Sequence, residues 1–235
     1  MTVQADMAAN VFRVREQMAE AAVRAGRDAS SVRLVAVTKM FPAETVQAAY
    51  DCGLRDFGEN RVQEFRQKLP SLHTPGATFH LIGHMQSNKV HPAMAFDWIQ
   101  TVDSERLAGR LSQAALEAQK IIPVLIEVKL SEEADKTGIS ESELNRLVSV
   151  VTPLAGLDLR GLMAIPPYTD DPQGARPYFR RLRELRDRLR DSGFPNLREL
   201  SMGMTHDFPV AIEEGATIVR IGTAIFGPRT VGRSG

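Results

Sequence analysis

The sequence predicts one closed (β/α)8 TIM barrel of the α/β class, preceded by an extra N-terminal helix. Three observations carry that prediction. Short β-branched apolar runs alternate with helical patterns from residue 32 onward, giving eight strand–helix units. The length of 235 residues suits one barrel of that kind. The first strand is followed by Thr38-Lys39-Met40-Phe41-Pro42, which lacks the glycines that an open dinucleotide-binding sheet, the runner-up, needs at that turn. The chain therefore reads as one domain over 1–235, with the helix over 1–27 and the barrel over 32–229.

Each element has a local reason. Val11, Val14, Met18, Ala22 and Ala25 recur at helical spacing, and Gly26 is a stop. Residues 32–37 form the first apolar run, followed by a helix over 43–52. The pattern then repeats as strand 55–58 and helix 61–69, strand 78–82 and helix 88–95, strand 98–102 and helix 104–120. It continues as strand 123–128 and helix 140–151, strand 159–165 and helix 174–192, strand 198–202 and helix 209–214, and closes with strand 217–221. The arginine-rich helix carries Tyr178, Leu182, Leu185 and Leu189 as one apolar stripe, so its charges read as a solvated face.

Composition narrows the function. Acidic and basic residues balance at 29 each, which argues against nucleic acid or an anionic membrane as partner. No run is long and apolar enough to span a bilayer, and no signal-peptide core is visible, so a cytoplasmic protein is expected. The single cysteine, Cys52, excludes an internal disulfide and a cysteine-based metal site, and reads as a small hydrophobe at a helix end. His80 and His84 lie four apart in a strand context broken by Gly83, which does not make a zinc site; no metal is expected. Glu59 and Glu64 read as a helix-start carboxylate and a surface residue, and Asp103-Ser104 as a helix cap.

In a barrel, ligands meet the C-terminal ends of the strands. The last two strands end in Ser201-Met202-Gly203 and in Arg220, Gly222 and Thr223, small and hydroxyl residues that suit a phosphate. Lys39 ends the first strand, which neighbours the eighth in a closed barrel. An amine beside a phosphate cradle describes a site for pyridoxal 5′-phosphate (PLP), with the amine forming the Schiff base.

Five motifs in register strengthen this reading: 35–39 (VAVTK), 57–64 (FGENRVQE), 80–89 (HLIGHMQSNK), 201–207 (SMGMTHD) and 219–227 (VRIGTAIFG). Together they resemble the PLP homeostasis proteins, the YggS/PROSC family, from the N-terminal helix to about residue 229. The resemblance implies an alanine-racemase-type barrel without a second domain, and a role in intracellular vitamin B6 homeostasis without robust turnover. It implies that Lys39 holds PLP as an aldimine, that Ser201, Gly222 and Thr223 hold the phosphate with Met202 contributing backbone, that Asn60 lies near the cofactor, and that Arg220 faces the pyridine nitrogen. No residue is implied to be catalytic. Enzymes that receive PLP are implied as partners, and the missing dimer-forming domain points to a monomer. Thr205, Met85, Lys129 and Thr137 depart from the family's usual residues. The alternatives are a PLP-dependent amino acid racemase-like enzyme, and a barrel enzyme for a phosphorylated substrate without PLP.

Overall fold

In the computed structural model, which describes residues 3–131 and 137–228, eight parallel strands close into a barrel in sequence order. They are β1 Arg33–Val37, β2 Asp56–Glu59, β3 Thr78–Leu81, β4 Trp98–Val102, β5 Ile122–Glu127, β6 Leu157–Met163, β7 Glu199–Ser201 and β8 Ile218–Ile221. The helices are α1 Val3–Arg24, α2 Ala43–Asp51, α3 Val62–Lys68, α4 Val90–Ala93, α5 Glu105–Glu117, α6 Glu141–Val151, α7 Arg176–Asp191, α8 Phe208–Glu213 and α9 Thr223–Phe226. The outermost parts of the expected domain range, residues 1–2 and 229–235, lie outside the described residues.

The seam that closes the barrel joins β8 to β1. Val35 lies opposite Arg220 on one side and Asp56 on the other, and Ala36 lies opposite Ile221. Parallel strands buried on both faces need apolar residues throughout, and this separates two apolar regions. A large one fills the space between strands and helices. A small one, Val35, Leu125, Met163 and Ile218 with Trp98 packed against it, plugs the barrel itself. The rest of the buried interior includes His80, Gln100, Glu127, Ser201 and Arg220, so part of the lumen is polar.

Helix α1 explains how the chain before the barrel is used. It buries Met7, Val11, Val14, Met18, Ala21 and Ala22 and packs on α8 and α9, the helices after β7 and β8. Asn10 Nδ2 donates to the Ile225 carbonyl at 2.9 Å, and Arg27 Nη1 to the Ile212 carbonyl at 2.8 Å. The helix thereby braces the elements that carry the last two strand ends.

Three sequence expectations change. The helix expected over 88–95 shrinks to the single turn α4, which contains Pro92; the ring removes one intrahelical donor. Helix α9 was not expected, because four residues are too short to show a period. In α7 the buried stripe is Phe179, Leu182, Leu185 and Leu189, with Tyr178 only half-buried. Truncating Met18 to Ala should cost about 2 kcal/mol in urea unfolding. An unchanged midpoint would show that α1 does not stabilise the barrel.

Candidate functional site

The turn after β1 and the turn after β8 meet across the seam. A Cβ added at Gly222 would lie 3.5 Å from Val37 Cβ, so the two strand ends are in contact. The Phe41 and Phe226 rings pack with centroids 4.9 Å apart, which leans the Lys39 turn against α9. Lys39 itself is half-buried.

Both peptide neighbours of Lys39 are tied to one buried charge cluster. Lys68 Nζ on α3 donates to the Thr38 carbonyl at 3.0 Å, to Glu59 Oε1 at 2.9 Å and to Glu64 Oε1 at 2.7 Å. The Thr38 hydroxyl donates to Glu59 Oε1 at 2.8 Å, and Met40 N–H donates to Glu64 Oε1 at 2.5 Å. Met40 has φ of 65°, a left-handed conformation that costs a side-chain-bearing residue of order 1 kcal/mol. These bonds hold that turn in place. Glu59 is therefore a buried strand-end carboxylate and not a helix-start charge, and Glu64 is a partner of the Lys39 turn and not a free surface residue. Glu64 and Lys68 are an i,i+4 pair within α3, but the bonds from Lys68 to Glu59 and Thr38 and from Met40 to Glu64 arise only when α3 folds back on β1. Burial raises the Glu59 carboxyl above its usual range despite Lys68 and Thr38, and its Oε2 has no hydrogen-bond partner.

Arg220 lies inside the barrel, 3 % exposed. Its Nη1 donates to Ser201 Oγ at 2.6 Å and its Nη2 to the Ala164 carbonyl at 3.0 Å. Burial lowers its pKa to about 10, with the carboxylates of Glu127 and Asp207 opposing the shift; it remains a cation at neutral pH. The Arg220 N–H donates to the Gly203 carbonyl, which joins the chain after β7 to β8. Gly203 has φ of 91° and an added Cβ would lie 2.5 Å from Ala211 Cβ, so only glycine fits there.

The other expected site residues take definite places. Ser201 is fully buried, and its hydroxyl donates to Gln100 Oε1 at 2.6 Å while accepting from Arg220. In this arrangement the hydroxyl braces Arg220, and it reaches a phosphate only by leaving Gln100. The Met202 N–H is spent on the Ile218 carbonyl at 3.1 Å, and its side chain packs in the core. Among the described residues, no acceptor is paired with the N–H groups of Gly203 or Thr223. Ala224 N–H takes the Thr205 hydroxyl oxygen at 3.3 Å, so the hydroxyl retained at 205 links the two loops. Thr223 is exposed and Gly222 half-buried, which places them at the rim. Asn60 is half-buried at the end of β2; an added Cβ on Gly83 would lie 2.3 Å from the Asn60 carbonyl oxygen, so the next strand end closes on it.

A second polar group lies at the ends of β3, β4 and β5. His84 Nδ1 lies 3.2 Å from Asp103 Oδ2. Glu127 is 3 % exposed, takes the Thr137 hydroxyl on Oε1 at 2.6 Å and leaves Oε2 without a partner. Burial pushes its carboxyl up, against the pull of Arg220 and His84. Ser104 caps α5 as expected, accepting from Leu107 N–H at 3.4 Å. Among the described residues no group of three or more His, Cys, Asp or Glu is arranged to hold a metal ion.

The half-buried lysine after β1, the buried arginine on β8 and the open backbone donors after β7 and β8 stand at the mouth of a barrel of the alanine-racemase class. Residues 9–230 match the model of that class, the alanine racemase N-terminal domain. Within it, the chain belongs to the pyridoxal phosphate homeostasis protein family. The pyridoxal phosphate homeostasis protein of Aquifex aeolicus is 44% identical over 218 residues, 92% of this chain and 96% of that one. The one from Pseudomonas aeruginosa is 44% identical over 227 residues, 96% of this chain and 97% of that one. The structure of PipY from Synechococcus elongatus with PLP bound superposes with a TM-score of 0.84 at 37% identity, covering 94% of this chain and 100% of PipY.

The charge cluster yields a prediction with a sign. Lys68→Met strips Glu59 of its cationic partner and should destabilise the protein by about 3 kcal/mol at neutral pH. A carboxyl raised in the folded state contributes stability at low pH that is lost as pH rises through its folded value. Without Lys68 the Glu59 carboxyl rises further, so the deficit should shrink as pH falls from 7.5 to 5. Urea unfolding of both proteins at the two pH values checks this; a deficit independent of pH would contradict it.

Proposed function

We propose that this protein binds PLP in the barrel mouth, with Lys39 joined covalently to the cofactor's aldehyde carbon, and serves intracellular vitamin B6 homeostasis without robust turnover. The observation that carries the reading is the meeting of the Lys39 turn with the β7 and β8 loops across one seam, in a family whose member PipY has been solved with PLP. The residues present fit the group. The N–H groups of Gly203 and Thr223, beside Gly222 and the Thr223 hydroxyl, suit its phosphate. Arg220 suits the pyridine nitrogen, Asn60 the neighbouring rim, and Ser201 and Met202 form the floor. When bound, PLP supplies an electrophilic aldehyde and an electron-withdrawing ring.

The roles of this chain's own groups follow from their chemistry. Lys39 must lose a proton to react. Arg220 donates and never accepts a hydrogen bond, so it favours an unprotonated ring nitrogen, a weaker electron sink than a pyridinium. That supports holding over carbanion chemistry. The racemase-like alternative needs a second acid/base group, and Glu127, with its raised carboxyl and uncommitted Oε2, is the buried group at the mouth that it would use.

Borohydride treatment of the PLP-loaded protein, followed by peptide mapping, should place the adduct on Lys39. Lys39→Ala should abolish both the adduct and the visible band of lysine-bound PLP. An adduct on another residue would overturn the assignment of Lys39. Rapid α-proton exchange of an amino acid, lost in Glu127→Gln, would replace the carrier reading with the enzymatic one.

A further inference from the structure

A continuous run of hydrogen bonds crosses the barrel interior and ends on Arg220. Asp56 Oδ1, at the start of β2, lies 2.9 Å from His80 Nε2 on β3. His80 Nδ1 lies 3.0 Å from Gln100 Nε2 on β4. Gln100 Oε1 lies 2.6 Å from Ser201 Oγ on β7, which in turn lies 2.6 Å from Arg220 Nη1 on β8. His80, Gln100 and Ser201 are fully buried, whereas Asp56 is 22 % exposed at the N-terminal rim of the barrel.

The direction of every bond follows from one end. A guanidinium can only donate, so Ser201 Oγ accepts from it and turns its own hydrogen to Gln100 Oε1. That fixes the Gln100 amide with its NH2 toward His80, so His80 Nδ1 is an acceptor. The imidazole proton is then on Nε2 and is given to the Asp56 carboxylate. The reversed amide would put a lone pair of His80 against Asp56 unless the ring were charged. Burial opposes that charge and lowers the ring's pKa, with Arg33 adding to the effect and Asp56 and Asp97 opposing it. All four bonds therefore run one way, from cation to anion.

We propose that His80 and Gln100 are positioning residues for Arg220, and that this one-way chain makes the bound cofactor's ring sensitive to Asp56, a residue at the N-terminal rim of the barrel that lies across Val35 from Arg220 in the sheet. The chain holds the guanidinium through a neutral relay and ends on a carboxylate, the third partner beyond Ser201, which also pairs with Arg33 at 3.7 Å. Bonds aligned head to tail polarise one another, so a change at Asp56 alters the donor strength at Arg220. The bond pattern stands on this chain's residues alone; its effect on a ring nitrogen rests on the proposed binding of PLP.

Two measurements separate those parts. Long-range 1H–15N NMR on the protein without PLP reports the tautomer of each of its five histidines, with His80→Gln giving the assignment. His80 should be neutral with its proton on Nε2, and Gln100→Glu, which offers only acceptors, should add a proton on Nδ1 and give a ring protonated on both nitrogens. A wild-type His80 protonated on Nδ1 would overturn the chain, whether or not PLP binds. Asp56→Asn and Gln100→Glu should then each weaken PLP binding, Gln100→Glu by about tenfold, and shift the visible maximum of the bound cofactor in the same direction. If Gln100→Glu does not fold, the partly exposed Asp56→Asn carries the test. PLP bound by Asp56→Asn with unchanged affinity and spectrum would overturn the coupling, whereas a wild-type protein that binds no PLP would overturn the functional reading and leave the NMR result standing.

Discussion

A guanidinium inside an eight-stranded barrel is the constraint on which the site depends. A buried cation is tolerated only when its donors are met and its charge is balanced. For Arg220 the donors reach the Ser201 hydroxyl and the Ala164 carbonyl, and the opposing carboxylates are Glu127 and Asp207. Meeting those needs sets the residues around it. Strand β7 must end in a hydroxyl, β6 must deliver a bare carbonyl, and the chain after β7 must bend through a glycine whose carbonyl accepts the Arg220 amide. The loops that offer free backbone donors at the mouth are consequences of that packing.

The lysine side of the seam is organised by a separate buried charge. Lys68 gathers Glu59, Glu64 and the Thr38 carbonyl, so the residues before and after Lys39 are both fixed. The Phe41–Phe226 contact and helix α1 then bind this turn to the closing helices. Lys39 is thus held at the seam by groups on α3 and α9. Replacing such ionic groups with apolar ones often costs nothing in stability, so their use here concerns position.

Strand and helix positions were legible in the sequence because apolar runs buried on both faces and helical stripes carry their own periods. The eight strands and their order follow from that alternation, and Lys39, Arg220, Gly222 and Thr223 were singled out as candidates because they stand at or near strand ends. What the sequence hid has a common cause. Lys68, Gln100 and Asp56 act through partners 9 to 101 residues away, as with Lys68 and Glu59 or Ser201 and Gln100, and nothing local marks such pairs; only Glu64 and Lys68, four apart on α3, form a local one. Ser201 illustrates the limit. Its position was foreseen, but its present bonds to Gln100 and Arg220 depend on three strands coming together. Helix α9 was missed because one turn has no period, and α4 was overestimated because Pro92 sits within an otherwise helical pattern.

In the proposed complex Arg220 is a permanent donor toward the cofactor ring, held in that orientation from within the barrel. The direct measurement is 15N NMR of the protein loaded with PLP labelled at the pyridine nitrogen. The expected result is an unprotonated nitrogen at neutral pH in the wild-type protein, and a protonated one when Arg220 is replaced by Glu in a variant that still binds PLP. A pyridinium signal in the wild-type protein would contradict it.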